Sequence, residues 1–488
     1  MSRGDRRHVG GRFYRWGPVV LVLALLASAG ASYRFDLGER WLGIEQGDPV
    51  DNPGAVAPPR GLDLPEALPA AEVAAPVTPA PPGSISPGSV RKVLGRRLLN
   101  PDLGGHVFAD VTPLSGGRPA FVEGSGEAVP ASTMKLLTTT AALAALPPGT
   151  TFPTTVVESG PGRLVLVGGG DPYLLSKPPT AAERNSTYPA RADVVTLARR
   201  TAESLRARGV EAVRLGYDDS LFTGPVASPA WEASYLPDGV VAPITALWVD
   251  RGADPSGYGR VADPSARAAA VFAKALGRAG VQVRRAPRPA VATAGATEVA
   301  RVESAPVEQI VQHVLEVSDN EGAEVLGHQV GMAVSGDGSF AGGVAGVLTT
   351  LRGLGINLDG AVLHDGSGLS RRDRLSPRTL VEVLQTAAGE SHPELRPVLE
   401  GLPVAGFTGS LSERFVDGDP AGRGRVRAKT GTLSGVHGLA GIVSDLDGNL
   451  MVLVLIADRV KLEDTLDARA VLDRAAAALA GCHCGSPA

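Results

Sequence analysis

Hydrophobic patterning divides the chain into three regimes. An apolar run from about Gly17 to Ala31 follows Arg3, Arg6, Arg7, Arg12 and Arg15. Residues 47–88 hold 11 of the 39 prolines, about three times their average density, among alanines and valines with neither a helical nor an alternating period. From about Ser89 onward, apolar positions recur at helical spacing or alternate at strand spacing, with Gly, Pro, Asn and Asp between the segments. Val90-Arg91-Lys92-Val93-Leu94 can begin a helix. Residues 106–111 and 119–122 read as a hairpin across Ser115-Gly116-Gly117. Pro130 then opens a helix whose apolar run ends at Pro147-Pro148-Gly149.

Beyond that helix the pattern alternates strand with helix. Arg163 to Val167 reads as a strand ended by Gly168-Gly169-Gly170-Asp171-Pro172. Amphipathic helices near 192–208 and 265–279 each lead into a strand-like run, 211–215 and 281–283. This alternation predicts a smaller α/β domain over residues 151–302, set into a domain formed by 89–150 and 303–481. The triple glycine is a tight turn, since no Lys-Ser/Thr pair follows it to open a helix over a phosphate. In the later host segment, 307–316 and 323–334 are helical and Arg425 to Leu433 is a strand. Residues 438–444 and 450–457 form a hairpin across Asp447-Gly448, and 462–480 a terminal helix. No internal repeat is apparent.

Composition refines this picture in a few places. With 488 residues, two or three domains fit after a leader and a linker. Hydrophobic content of 43% against 4% aromatic means that the core rests on aliphatic residues and alanine. A net charge of −4, with no basic cluster beside aromatics, gives no hint of a nucleic-acid partner. The arginine-rich start and apolar run predict export through residues 1–32, as a cleaved signal peptide or as an N-terminal membrane anchor. Residues 33–88 are the linker, a disordered spacer or a tether reaching on the order of 130 Å at ~3.1 Å per residue. Only Cys482 and Cys484 occur, flanking His483. They are one ligand short of a closed zinc site and cramped for a disulfide, so residues 482–488 read as a frayed tail.

The densest candidate chemistry is the stretch Val129 to Lys135 at the start of the helix opened by Pro130. Helical spacing puts Ser132 and Lys135 on one face, a turn apart. A serine hydroxyl becomes a good nucleophile once a base takes its proton, and a lysine with a lowered pKa can be that base. The N-terminal amide of Ser132 points outward and suits an oxyanion hole. An isolated Ser-x-x-Lys is also what an N-cap serine with a solvated lysine looks like. Two further stretches change the reading. Ser318-Asp319-Asn320 connects two helical segments, and Lys429-Thr430-Gly431-Thr432 lies in a strand.

In this order the three stretches resemble the motifs of the serine DD-peptidases and class A β-lactamases. About 186 positions separate Ser132 from Ser318, far more than a compact β-lactamase leaves. That insertion, and the run His364-Asp365-Gly366-Ser367-Gly368-Leu369-Ser370-Arg371, are similar to the D-alanyl-D-alanine carboxypeptidase/endopeptidase family, the low-molecular-mass class C penicillin-binding proteins. The resemblance covers roughly residues 90 to 480. It implies an α/β fold of the α+β type, a penicillin-binding/β-lactamase-like antiparallel sheet flanked by helices. It also implies a penicillin-sensitive D-Ala-D-Ala carboxypeptidase, with possible endopeptidase action, that works through an acyl-enzyme on Ser132. Peptidoglycan stem peptides and β-lactams would be its partners, without cofactor or metal. Lys135 would be the base, and Ser318 and Lys429 would complete the proton path. The amide of Thr432 would be the second oxyanion donor, by resemblance.

Asn320 has both a donor and an acceptor for a peptide amide. Gly431 would let the substrate approach the strand edge, and Thr430, Thr432 and Lys429 would hold a free carboxylate. One conflict stands inside this reading. Strict alternation places Lys429 and Gly431 on one face of the strand and the two threonines on the other. Ser367 reads as a turn residue rather than a nucleophile, because Asp365 stands where an elbow needs glycine. His437 reads as a packing or surface histidine. No His-Glu-x-x-His pair occurs among the eight histidines, so zinc peptidase chemistry has no support. The alternatives are a β-lactamase, for which no distinct glutamate motif follows Asn320 at the usual distance, and a non-catalytic penicillin-binding sensor or scaffold. A binding role would not require Ser132, Lys135, Ser318 and Lys429 together.

Overall fold

The structure is a computed structural model that describes residues 85–416 and 419–485. The expectations for the leader and most of the linker fall outside the described residues. In chain order the main helices are α1 (Pro87–Leu94), α2 (Lys135–Ala145), α3 (Val194–Arg206), α4 (Pro264–Arg278), α5 (Val307–Val317), α6 (Asn320–Ser335), α7 (Phe340–Gly353), α8 (Pro377–Ala388) and α9 (Thr465–Ala480). The strands are β1 (Val107–Pro113), β2 (Phe121–Glu123), β3 (Pro153–Glu158), β4 (Arg163–Val167), β5 (Ala212–Asp218), β6 (Gln282–Val283), β7 (Arg288–Pro289), β8 (Thr297–Glu303), β9 (Val426–Leu433), β10 (Val436–Ser444) and β11 (Leu450–Ala457). No helix among the described residues is long and apolar enough to cross a membrane.

One sheet runs β2-β1-β11-β10-β9, with every neighbouring pair antiparallel. Its middle strand explains the layering. Successive side chains of a strand point to opposite faces, and in β11 both faces are apolar. Val452, Val454 and Ile456 join a core built with α2, α5, α6 and α8. Met451, Leu453, Leu455 and Ala457 join a second core with α1 and α9. A strand buried on both sides reads as a continuous apolar run, which is what Leu450 to Ala457 is.

A second sheet, order β6-β5-β4-β3-β8, is made by residues 153–303, with β7 also pairing β5. It is mixed: β3 is antiparallel to β4 and β8, whereas β4, β5 and β6 are parallel. The apolar stripes of α3 and α4 (Leu197, Ala198, Leu205, Phe272, Leu276) cover it. The segment between β5 and α4 leaves this sheet and lies on the host. There Tyr235, Val241, Ala242, Ile244 and Trp248 form a cluster with Val325, Phe340 and Leu369.

Two local expectations are corrected. The serine helix does not begin as a regular α-helix at Pro130: residues 131–134 form a 3₁₀ turn and the α-helix begins at Lys135. Ala131 is held at φ 47°, and its carbonyl lies 1.9 Å from where a Cβ on Gly368 would stand. Close packing of the 366–370 loop therefore shapes the turn. The C-terminal tail is not frayed through Gly485. Cys482 and Cys484 form a disulfide with Cα atoms 5.2 Å apart, inside the ordinary range. Cys484 is buried, its carbonyl accepts from Ser86 N at 2.8 Å, and Ile85 bridges Gly485. Apolar burial and these two backbone contacts hold the tail where composition alone suggested fraying.

Candidate active site

The serine turn, the α5–α6 junction and the 364–370 loop converge on one buried amine. Lys135 Nζ is fully buried and donates to Ser132 Oγ at 2.9 Å, to Asn320 Oδ1 at 2.8 Å and to the Ser367 carbonyl at 2.8 Å. Three donors meeting three acceptors satisfy the ammonium. The neutral amine fits equally well: two N–H groups keep Asn320 and Ser367, and the lone pair faces Ser132 Oγ. Burial moves the amine toward its neutral form, down to about 8, against the opposing fields of Glu324, Asp365, Asp319 and Glu321. A lysine that titrates there can serve as a base at neutral pH.

The second amine stands opposite. Lys429 Nζ, also fully buried, donates to Ser318 Oγ at 2.7 Å and to the Thr430 carbonyl at 2.9 Å. Burial first, then the charges of Lys135 and Arg414, hold it well below the ordinary lysine range. Ser318 ends α5 in the left-handed region, φ 60° and ψ 41°. Asp319 then caps α6 through Gly322 N at 3.2 Å. This tight reversal between two helices explains the Ser-Asp-Asn spacing. Ser318 is turned toward β9 while Asn320, two residues on, faces Lys135. The Asn320 amide nitrogen reaches toward the Val240 carbonyl at 3.5 Å.

The geometry of β9 answers the alternation problem. Lys429 and Gly431 do share a face, the one turned to Ser318 and the serine turn. A Cβ on Gly431 would lie 2.8 Å from the Pro130 carbonyl and 3.2 Å from Thr133 Cγ2. The missing side chain thus admits the serine turn, whereas the sequence suggested room for substrate. Thr430 faces the other way, with its hydroxyl 3.0 Å from Ser410 Oγ. Thr432 is exposed and paired with His437 in register.

The backbone follows the same period. Ala428 N donates outward to Pro403 O, and Val426 O accepts from Ala405 N. Alternate residues of an antiparallel strand turn their N–H and C=O the same way. Hence Thr430 and Thr432 direct theirs to the outer edge, beyond the point where Val404 covers it at Arg427. The amide of Thr432 is aimed where an oxyanion donor or an added peptide strand would pair. His437 is buried with neither ring nitrogen bonded among the described residues, and burial and the Arg414 charge favour its neutral form.

A ring of buried carboxylates holds these groups in place, and sequence reading missed most of it. Glu324 accepts from Gly366 N at 2.9 Å and Ser367 N at 2.8 Å, which fixes the carbonyl that Lys135 uses. Burial, and the nearby Asp365, push Glu324 up to about 8. Asp365 accepts from Gly368 N at 2.8 Å, Ser370 N at 2.7 Å and Trp231 Nε1 at 2.7 Å. Asp373 accepts from His364 N at 2.8 Å, and burial and Asp365 push it up to about 10. For Asp319, burial raises the pKa, but the Arg251 charge at 3.2 Å and the Gly322 N–H outweigh it and the net shift is downward. Arg260 pairs with Glu321 at 2.5 Å. Val240, Arg251, Arg260 and Trp231 all come from the segment between β5 and α4, so the inserted region buttresses the host's site. Ser367 enters through its backbone, in keeping with a turn role. A glutamate among Ala323, Val325 and Leu326 on a buried helix was the available signal for Glu324. Ser410 carried none.

Comparison with known proteins bears on what this site does. The sequence model of the D-Ala-D-Ala carboxypeptidase 3 (S13) family matches residues 90–257 and 254–479. The chain is 37% identical over 402 residues to carboxypeptidase DacB of Mycolicibacterium smegmatis, covering 80% of this chain and 84% of that one. It is 31% identical over 417 residues to a D-alanyl-D-alanine carboxypeptidase of Actinomadura sp., covering 67% and 73%. Its fold is similar to the crystal structure of penicillin binding protein 4 from Haemophilus influenzae. There the TM-score is 0.63 at 20% identity, over 80% of this chain and 98% of that one.

Proposed function

The chain belongs to the D-Ala-D-Ala carboxypeptidase 3 (S13) family, and on that premise we infer that it is a serine D-Ala-D-Ala carboxypeptidase acting on peptidoglycan stem peptides through Ser132. The observation that carries the residue assignment is the contact of buried Lys135 Nζ with Ser132 Oγ, in a site where that amine titrates at about 8. In the neutral form Lys135 takes the Ser132 proton as Oγ attacks the carbonyl of the penultimate D-alanine. The amides of Ser132 and Thr432 receive the developing oxyanion. The C–N bond then breaks, and the departing amine needs a proton. Ser318 Oγ supplies it and is re-protonated by the ammonium form of Lys429, 2.7 Å away, which a bound substrate carboxylate favours. Water cleaves the ester by the reverse path, leaving a shortened stem peptide and free D-alanine. Cleavage of a peptide cross-link uses the same acyl chemistry.

β-Lactams are proposed to acylate the same serine. The substrate carboxylate is proposed to sit near Thr430, Thr432 and Lys429. An arriving anion raises a lysine pKa, so the charge that Lys429 offers would grow as substrate binds. The folded body is proposed to work outside the cytoplasmic membrane, either released or tethered by the segment before residue 89. Support for this comes from the arginine-rich start and the apolar run. D-Alanine release from a pentapeptide by the full chain tests the activity, and none from wild type refutes it. Fractionation with protease accessibility tests the location: a protected cytosolic pool contradicts it.

A further inference from the structure

A cavity of about 450 Å³ lies beside the excursion that follows Gly170, apart from the catalytic groups. Its wall carries Lys177, Arg184 and Arg191 together with Glu183, Asp193 and Asp250, over a floor that includes Pro178 and Pro179. The carboxylates each have one oxygen committed to structure. Glu183 accepts from Thr180 N at 2.7 Å, Asp193 from Thr196 N at 2.7 Å and Asp250 from Ser176 N at 2.9 Å. The cations are not so committed. Among the described residues none of the three forms an ion pair. Among the described residues the Arg184 side chain donates only to the Pro179 carbonyl, at 2.6 Å. Arg191 Nε is buried without a partner among the described residues, while its guanidinium lies 5.3 Å over the Tyr173 ring.

We propose that this cavity is a second ligand site for a small zwitterion, an amino acid or short peptide with a free carboxylate and a free ammonium. The volume falls in the range of small-molecule sites. Three unpaired cations suit a carboxylate, and the free second oxygens of three acids suit an ammonium. The same acids oppose a polyanion such as a phosphorylated ligand. The ligand class rests on the functional reading above, because one product of that reaction, D-alanine, is such a zwitterion.

The site is wired to the chemistry. Asp250 lines the cavity, and Arg251 next to it donates to Asp319 Oδ2 at 3.2 Å. Both residues hold the left-handed backbone, φ 51° and 54°. Asp319 caps the helix that begins with Asn320, and Asn320 accepts from Lys135. An occupant that shifts Asp250 is therefore two hydrogen bonds from the general base, Arg251 to Asp319 and Lys135 to Asn320, and its binding is coupled to acylation.

The test uses the full chain with Ser132 first acylated by a penicillin, the adduct being verified by mass. D-Alanine is then titrated by calorimetry beside N-acetyl-D-alanine, D-alaninamide and inorganic phosphate. D-Alanine is expected to bind, and both blocked analogues about tenfold or more weakly, the loss of one charge-assisted contact. Lys177→Gln with Arg184→Gln, both at exposed positions, is expected to weaken D-alanine by at least the same factor and, in separate runs on protein not yet acylated, to abolish its effect on the acylation rate by penicillin. Arg184→Gln alone serves if the double variant does not fold. No binding of D-alanine, equal binding of phosphate, or unchanged binding in the variant overturns the proposal. Binding without any penicillin adduct would instead refute the functional reading and leave the cavity standing.

Discussion

Replacing Lys135 by arginine removes the base while keeping a positive charge on the side chain. In wild type the amine titrates at about 8. Below that value it is the ammonium, donates three hydrogen bonds and cannot accept the Ser132 proton. About one molecule in ten is then competent at pH 7 and about one in a hundred at pH 6, so acylation should rise ~tenfold per pH unit and level off above the midpoint. A guanidinium stays charged throughout this range. The variant should lose the whole general-base contribution, roughly 10²–10⁴-fold, and its residual rate should be flat with pH. The fork of an arginine also cannot reproduce the three contacts at 2.8–2.9 Å around one nitrogen. Single-turnover acylation by a penicillin, quenched and read by intact mass across pH, measures both proteins. A wild-type rate independent of pH between 6 and 8, a midpoint near the ordinary lysine value, or a variant within a few-fold of wild type would refute the reasoning.

Three further outcomes follow from the geometry. Glu324→Gln leaves one of the Gly366 and Ser367 N–H groups facing an amide donor; urea titration should show a loss of about 1–3 kcal/mol, acylation should slow at least tenfold, and an unchanged variant would remove Glu324 from the account. Ser410→Ala frees the Thr430 hydroxyl from its 3.0 Å partner; KM for peptides with a free C-terminal carboxylate should change about 2–10-fold with kcat unaltered, and an equal change for the C-terminal amides would argue against a carboxylate site there. Ending the chain at Ala480 removes the Cys484–Ser86 contact and the buried Cys484; a stability loss of about 1–2 kcal/mol is expected, and an unshifted unfolding midpoint would show that the tail's docking is not stabilising.

Much of the fold was legible because its signals are local. The apolar run of β11, the stripes of α3 and α4 and the turn at Asp447-Gly448 each follow from period and turn chemistry. Helix α7 was not legible. Its glycines break helical propensity, and their reason is a neighbour: a Cβ on Gly343 would lie 2.8 Å from the Gly327 carbonyl of α6. The site divides the same way. Ser132, Lys135, Ser318, Asn320 and Lys429 lie in three stretches that the sequence singles out, and the structure bonds Lys135 to Ser132 and Asn320, and Lys429 to Ser318. Glu324 and the Ser367 carbonyl act on Lys135 through a loop some 40 residues away in sequence, and pairing over that distance leaves no local pattern. The buttress from the inserted region escaped notice for that reason also, since Arg251 and Trp231 matter only for what they touch in the host.

The central claim is that Ser132 carries the acyl group. The full chain would be mixed with a D-Ala-D-Ala-terminated peptide or a penicillin, quenched in acid, digested and mapped by mass. The account predicts an adduct confined to the fragment containing Ser132, abolished in Ser132→Ala together with D-alanine release. An adduct on another residue, or D-alanine release that persists in Ser132→Ala, would contradict it.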